Sequence, residues 1–199
     1  MKIMGFVFLF LILVSRSVFA ISPMNIAVIE EAQSYGKTHA HEKLEEFLLP
    51  WISYEEKTPK LNEYSERAYL YTNFLLIATD AREKSLNGLK PQLEDSEKIL
   101  TNYNGFLTFS VMLYGAQPNF AQNAVVELKQ GTAKIKVQQA TIPSAAEKVI
   151  KGSDKPTFRS QCYFYFSTKD IVYDKPIILS IVTKDQKNHN FYFDFAHIK

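Results

Sequence analysis

At Asn104-Gly105 the hydrophobic pattern changes its period from 3.6 residues to 2, so one kind of secondary structure cannot account for the whole chain. Downstream, Leu107, Phe109, Val111 and Leu113 alternate with Thr108, Ser110 and Met112, as a half-buried strand requires. Residues 125–130 and 133–141 flank Gly131-Thr132, a hairpin turn. Residues 159–167 put Cys162, Phe164 and Phe166 on one face and Gln161, Tyr163 and Tyr165 on the other. Residues 177–183 and 189–195 flank a polar connection, and Phe191, Phe193 and Phe195 share a face. Six or seven strands with no helices between them predict an antiparallel β-sandwich over residues 105–199, with an immunoglobulin-like arrangement as one form it can take.

Upstream, residues 21–104 read as three or four helices. Pro23 suits a first helical position, and Ile26, Ile29, Ala32 and Tyr35 follow at helical spacing until Gly36, which bends or ends the helix. A second helix over residues 39–49 stops at Pro50-Trp51. The strongest spans residues 61–84. There Tyr64, Ala68, Tyr71, Leu75 and Ala78 form one apolar row, and Leu70, Phe74, Ile77 and Ala81 form its neighbour. Gly88 and Pro91 mark a break before a short helix over residues 93–103. The fold class that follows is α+β, a helical segment packed with a C-terminal antiparallel sandwich.

The first twenty residues, MKIMGFVFLFLILVSRSVFA, constrain destination rather than fold. Lys2 supplies a positive start, residues 3–14 an apolar run, and Val18 and Ala20 the small residues of a cleavage site. Twelve apolar residues fall short of the roughly 20 that a membrane helix needs. The expectation is a cleavable signal peptide, a mature chain of 179 residues, and no stable membrane span after cleavage. The destination is periplasmic, cell-surface or extracellular. Cys162 is the only cysteine, so no disulfide forms within the chain and packing alone must hold it.

Charge removes one class of partner. The leader takes Lys2 and Arg16, leaving 21 basic against 21 acidic residues, so no nucleic-acid partner is expected. The balance is uneven along the chain, with a net of −5 over residues 21–101 and +5 over 102–199. Mutual attraction of the two halves is the simplest account.

The chemical candidates mostly fail. Cys162 lacks the surroundings of a nucleophilic thiol, which needs a base or cation and an oxyanion donor, and its strand mates Phe164 and Phe166 mark it as a buried small residue. Ser34-Tyr35-Gly36-Lys37 has the Ser-x-x-Lys spacing without a companion Lys-Thr-Gly. His39 and His41 share a face only on a strand, and with Glu45 they make no zinc set. Asp170 and Asp174 lack the Asp/Asn/Gly density of a calcium loop. The pairs Glu55-Glu56 and Glu94-Asp95 sit on polar segments, with nothing to mark one as a glycosidase acid. No metal and no cofactor is expected.

The aromatic residues are the better pointer. Tyr163, Tyr165 and Tyr192 project from the non-core faces of two strands, with Lys134, Lys136 and Arg159 at strand ends. Rings with polar tips on an exported sandwich suit a protein, peptide or glycan of the cell envelope. The expectation is a non-catalytic binding or protein-interaction module with those six residues as its surface. The alternative is a small extracytoplasmic hydrolase assembled between the two halves, drawing on His39, His41, Asp170, Asp174 and His189.

Overall fold

The computed structural model describes residues 24–149 and 157–198. The leader read over residues 1–20 lies outside them. The first helix, α1, spans Ile26–Thr38, and the Asn25 carboxamide oxygen accepts from the Val28 N–H at 3.0 Å to cap it. Gly36 lies inside α1 rather than ending it. A later helix, α3 (Asn73–Leu86), packs there so closely that a Cβ on Gly36 would collide with the Ala78 carbonyl. The second expected helix shrinks to one turn, α2 (Leu44–Phe47), followed by a 3₁₀ turn at Leu49–Trp51 that carries Pro50 and by a short strand, β1 (Ile52–Tyr54).

The largest correction falls on residues 61–84. Arg67–Tyr71 is a strand, β2, and α3 starts only at Asn73, where the Thr72 hydroxyl accepts from the Leu75 N–H at 3.2 Å. Arg-Ala-Tyr-Leu-Tyr alternates as well as it spirals, because Ala68 and Leu70 go to one side and Tyr69 and Tyr71 to the other. Pairing decides between the two. The next strand, β3 (Phe106–Gly115), offers β2 an antiparallel register from Arg67 opposite Met112 to Tyr71 opposite Thr108. The last helix, α4 (Leu93–Asn102), lies where the pattern put it and leads into Gly105, whose φ of +78° suits glycine.

Seven more strands follow: β4 (Val125–Gln130), β5 (Ala133–Lys136), β6 (Gln139–Thr141), β7 (Glu147–Val149), β8 (Thr157–Ser167), β9 (Ile177–Val182) and β10 (Asn188–Phe193). Among the described residues they form a six-stranded sheet in the order β1-β2-β3-β8-β6, with β7 also paired to β8, and a four-stranded sheet in the order β10-β9-β4-β5. All pairings are antiparallel. The stretch 133–141 is not one strand. It pairs with β4 in the small sheet, crosses at Val137-Gln138, and pairs with β8 in the large one.

The sheets face each other across one core. Leu70, Phe109, Val111, Cys162, Phe164 and Phe166 line the large sheet's inner face, and Leu128, Leu179, Ile181, Phe191 and Phe193 line the small sheet's. Phe109 and Phe193 meet at 5.4 Å between ring centres. The core continues into the helices, where Trp51 stacks on Phe74 at 6.0 Å and Tyr35 meets both rings. The N-terminal half therefore supplies two strands and a helical layer to the same core. No helix among the described residues is long and apolar enough to cross a membrane.

Candidate functional site

Register and alternation fix what each outer face carries. On the large sheet, Ile52, Tyr69, Ser110, Tyr163 and Thr141 lie in one row across five strands, and Tyr71, Thr108, Tyr165 and Gln139 lie in the next. Arg67, Met112 and Gln161 form a third row, and Tyr114 and Arg159 face each other beyond it. Neighbouring strands stand about 4.8 Å apart, so each tyrosine of β2 stands about 10 Å from its counterpart on β8. Between them β3 contributes only Ser110 and Thr108. The small hydroxyl side chains of the middle strand lie between the rings and are covered.

The rings and the hydroxyls between them differ in exposure. Tyr71, Tyr163 and Tyr165 are half-buried, Tyr69 is buried, and Ser110 and Thr108 beneath them are 3% and 4% exposed. Gln161 Nε2 donates to Ser110 Oγ at 3.2 Å. The Thr108 hydroxyl has no hydrogen-bond partner among the described residues. Burial, followed by the neighbouring Tyr163 and Tyr69 hydroxyls, pushes Tyr71 up to about 12. Burial also raises Tyr165, with smaller contributions from Tyr103 and Tyr163.

At the β1–β2 edge the same face deepens into a groove of about 340 Å³. Its floor is Ile52, Tyr54, Arg67 and Tyr69, and its walls are Glu45, Glu46 and Leu49 on one side and residues 61–63 on the other. Arg67 holds the two walls together. Its guanidinium donates to Glu45 Oε1 at 3.2 Å, to the Tyr69 hydroxyl at 3.1 Å and to the carbonyls of Glu63 and Ser65 at 3.1 and 3.3 Å.

The six residues singled out by sequence do not form one surface. Tyr163, Tyr165 and Arg159 share the large sheet's outer face, but Tyr192, Lys134 and Lys136 belong to the outer face of the small sheet, on the opposite side of the sandwich. Alternation gave each residue a non-core face and could not say to which sheet its strand belongs. On the small sheet, Tyr192 lies in a row with Ile178, Lys129 and Lys134. Lys129 and Lys134 both reach Glu127 at 3.5 Å, and Lys129 donates to Ser180 Oγ at 3.0 Å. Arg159 pairs with Glu147 at 2.6 Å, which raises its guanidinium above the ordinary value.

Of the residues considered for catalysis, only His189 is embedded in a network. Its Nδ1 lies 2.6 Å from Glu66 Oε2 and its Nε2 lies 3.2 Å from Thr183 Oγ1, the spacing of an acid–histidine–hydroxyl relay. The Thr183 hydroxyl donates to Asp185 Oδ1 at 2.6 Å and is buried, so its proton is directed away from the imidazole. Burial raises Asp185, but the hydrogen bonds from Thr183 and Lys187 outweigh it and leave the carboxyl below its ordinary value. Glu66 Oε1 also accepts from the Tyr114 N–H at 3.0 Å. The network ties the start of β2 and the end of β3 to the β9–β10 hairpin.

The remaining candidates stand apart from that network. His39 follows α1 with its ring 4.3 Å from Tyr35 and its Nδ1 2.7 Å from Glu42, while His41, Asp170 and Asp174 are exposed. Glu45 meets Arg67 rather than His41. Ser34 and Lys37 are exposed on α1. Burial pushes the Cys162 thiol up against a weaker lowering contribution from Ser160, as suits a core residue. No group of three or more His, Cys, Asp or Glu side chains among the described residues is placed to hold a metal ion. Sequence reasoning missed Tyr69 and Tyr71 because it read their strand as helix, although Tyr-Leu-Tyr before a capping Thr72 carries a strand signal. The chain matches no family model, no curated protein and no solved structure.

Proposed function

We propose that the chain is an exported, non-catalytic binding module, and that its contact surface is the outer face of the large sheet rather than both faces of the sandwich. The observation that carries this reading is the double row of tyrosines, Tyr69 and Tyr163, then Tyr71 and Tyr165, over a floor of Ser110 and Thr108. An antiparallel sheet with one face in water ordinarily fills that face with charged and polar side chains. Half-buried rings with hydroxyl tips supply rigid contact area for a protein, peptide or glycan of the envelope at little entropic cost.

The test is retention of the purified mature chain on the envelope fraction of its own host, followed by sedimentation. Tyr163→Ala with Tyr165→Ala should release the chain, while Tyr192→Ala should not, with thermal unfolding of each variant as the control for fold. Retention of the double variant at the wild-type level would remove the surface from consideration. Release by Tyr192→Ala alone would move it to the other sheet.

A small hydrolase is the second reading, and the Glu66–His189–Thr183 spacing is the observation that favours it. The buried Thr183 hydroxyl, already donating to Asp185, weighs against it.

A further inference from the structure

The groove at the β1–β2 edge has a lining that its own side chains do not satisfy. Leu49 and Leu61 stand on opposite walls, 56% and 55% exposed, and large apolar side chains grouped at a cavity mouth mark a contact site more strongly than scattered ones. Beneath them the rings of Tyr54 and Tyr69 form part of the floor. The walls are acidic, with Glu45, Glu46 and Glu63, and Arg67 is the single cation of the lining.

Arg67 is not free to receive an anion. Its guanidinium already donates to a carboxylate, a phenol and two carbonyls. Glu45 offsets its charge, and Glu46 and Glu63 remain as two carboxylates at the mouth, the second also beside the Tyr64 hydroxyl. A cation approaching this groove therefore meets the carboxylates of Glu46 and Glu63, with the phenol rings of Tyr54 and Tyr69 in the same lining. A volume of 340 Å³ admits one or two long side chains from a narrow segment, not a folded surface.

We propose that this groove receives a segment of a partner polypeptide that alternates leucine-like and lysine- or arginine-like side chains, the aliphatic ones against Leu49 and Leu61 and the cations against Glu46 and Glu63. The inference deepens the reading of the large sheet's outer face as a contact surface, since Tyr69 belongs to both the groove and the tyrosine rows. A second copy of the chain is the poorer occupant. The lysines of its small sheet lie on a strand face, where Lys129 and Lys134 already share Glu127.

The experiment uses the mature chain and two labelled peptides, acetyl-Leu-Lys-Leu-Lys-Leu-amide and its Glu-for-Lys counterpart, with binding followed by fluorescence anisotropy. The lysine peptide should bind and the glutamate peptide should not, and the binding should weaken as salt is raised. Glu46→Gln with Glu63→Gln should lower affinity at least tenfold, and Leu49→Ser with Leu61→Ser should do the same. All four side chains are exposed, so these variants should keep the wild-type unfolding midpoint. Equal binding of both peptides, or indifference to the double charge variant, overturns the proposal. So does a concentration-dependent dimer that the charge variant abolishes, because the occupant is then a second copy. Tyr163→Ala with Tyr165→Ala lies outside the groove lining. Peptide binding that survives this variant, in a protein no longer retained on envelope, separates failure of the groove from failure of the wider face.

Discussion

The two outer faces of the sandwich are built by the same alternation and yet carry different chemistry. On the small sheet, Glu127 pairs with Lys129 and Lys134, and the buried Ser180 bonds Lys129 and Asn188, beside the exposed Val125, Lys136 and Tyr192. The large sheet's outer face replaces most of those charges with tyrosine and hydroxyl groups, and its one central cation, Arg67, is fully engaged. Folding alone explains the first pattern. Strand preference also favours the tyrosines of the second, and what sets that face apart is the hydroxyl-tipped ring area it presents. That asymmetry is the ground on which the contact surface is proposed for one side of the molecule.

The comparison requires both faces to rest on one cooperative core. Phe109→Ala, which empties the space against Phe193 and Phe166, should cost about 3–5 kcal/mol and lower the denaturant midpoint of both sheets together. Two separate transitions in circular dichroism and tyrosine fluorescence would show that the faces belong to independent units, and the contrast would lose its meaning.

A smaller effect is expected where the sheets are tied at one end. Glu66→Gln should cost roughly 1–3 kcal/mol, because it weakens the hold on His189 Nδ1 while leaving the buried ring in place. Hydrogen exchange should then rise first at Tyr114 and in the β9–β10 hairpin. Protection that stays uniform would mean the network merely fills space. The same hairpin has an acid limit. Asp185 lies below its unfolded value, so its contribution is present above that value and is lost as pH falls through the folded one. Asp185→Asn should flatten the acid side of the stability profile.

Base probes the large sheet's outer face without a mutation. Tyr71 is raised from 10.0 to about 12, so the stability linked to its neutral form is intact below pH 10 and disappears as pH rises through about 12. The phenolate absorbance should therefore show a late step coinciding with unfolding, and Tyr71→Phe should remove it. The least effect of all should come from the small sheet's outer face. Lys134→Ala and Tyr192→Ser should each shift stability by no more than about 0.5 kcal/mol in chemical denaturation. A larger loss there would mean that this face, too, is doing something its side-chain pairs do not reveal.

Much of this contrast was open to a reader of the sequence, and its limits are physical. The strands after residue 105 were legible because Leu107, Phe109, Val111 and Leu113, and then Cys162, Phe164 and Phe166, bury one side only. Strand β2 was not. Its Ala68 and Leu70 run on into the apolar rows of α3, and a helical stripe continues across the Thr72 cap without interruption. Losing β2 also lost half of the tyrosine rows and the floor of the groove. Tyr192 was joined to Tyr163 because period 2 reports a side of a strand and nothing about which sheet holds it. The Glu66–His189 contact spans 123 residues and leaves no spacing to find. The groove depends on α2, β1 and a loop, with Arg67 bonding both Glu45 of α2 and the Glu63 carbonyl of the loop.

The way β8 is paired has a consequence for how anything can attach to this protein. Beyond β3, its free side is occupied by two fragments, Gln139–Thr141 and Glu147–Val149, rather than by one long strand. At the opposite rim, Ile52–Tyr54 is equally short and its continuation at Glu55 is bridged to Phe191, while the small sheet ends in a four-residue strand bearing Lys134 and Lys136. Among the described residues, these short, interrupted or lysine-guarded rims deny an incoming chain the run of unpaired backbone groups that strand addition and amyloid-like stacking exploit, and the fourth rim, β10, is bridged at Phe191. A chain without a disulfide, held by packing alone, is thereby protected from joining its neighbours edge to edge. Both proposed sites, the tyrosine rows and the groove beside them, accordingly rest on side chains of a face and not on an open strand edge.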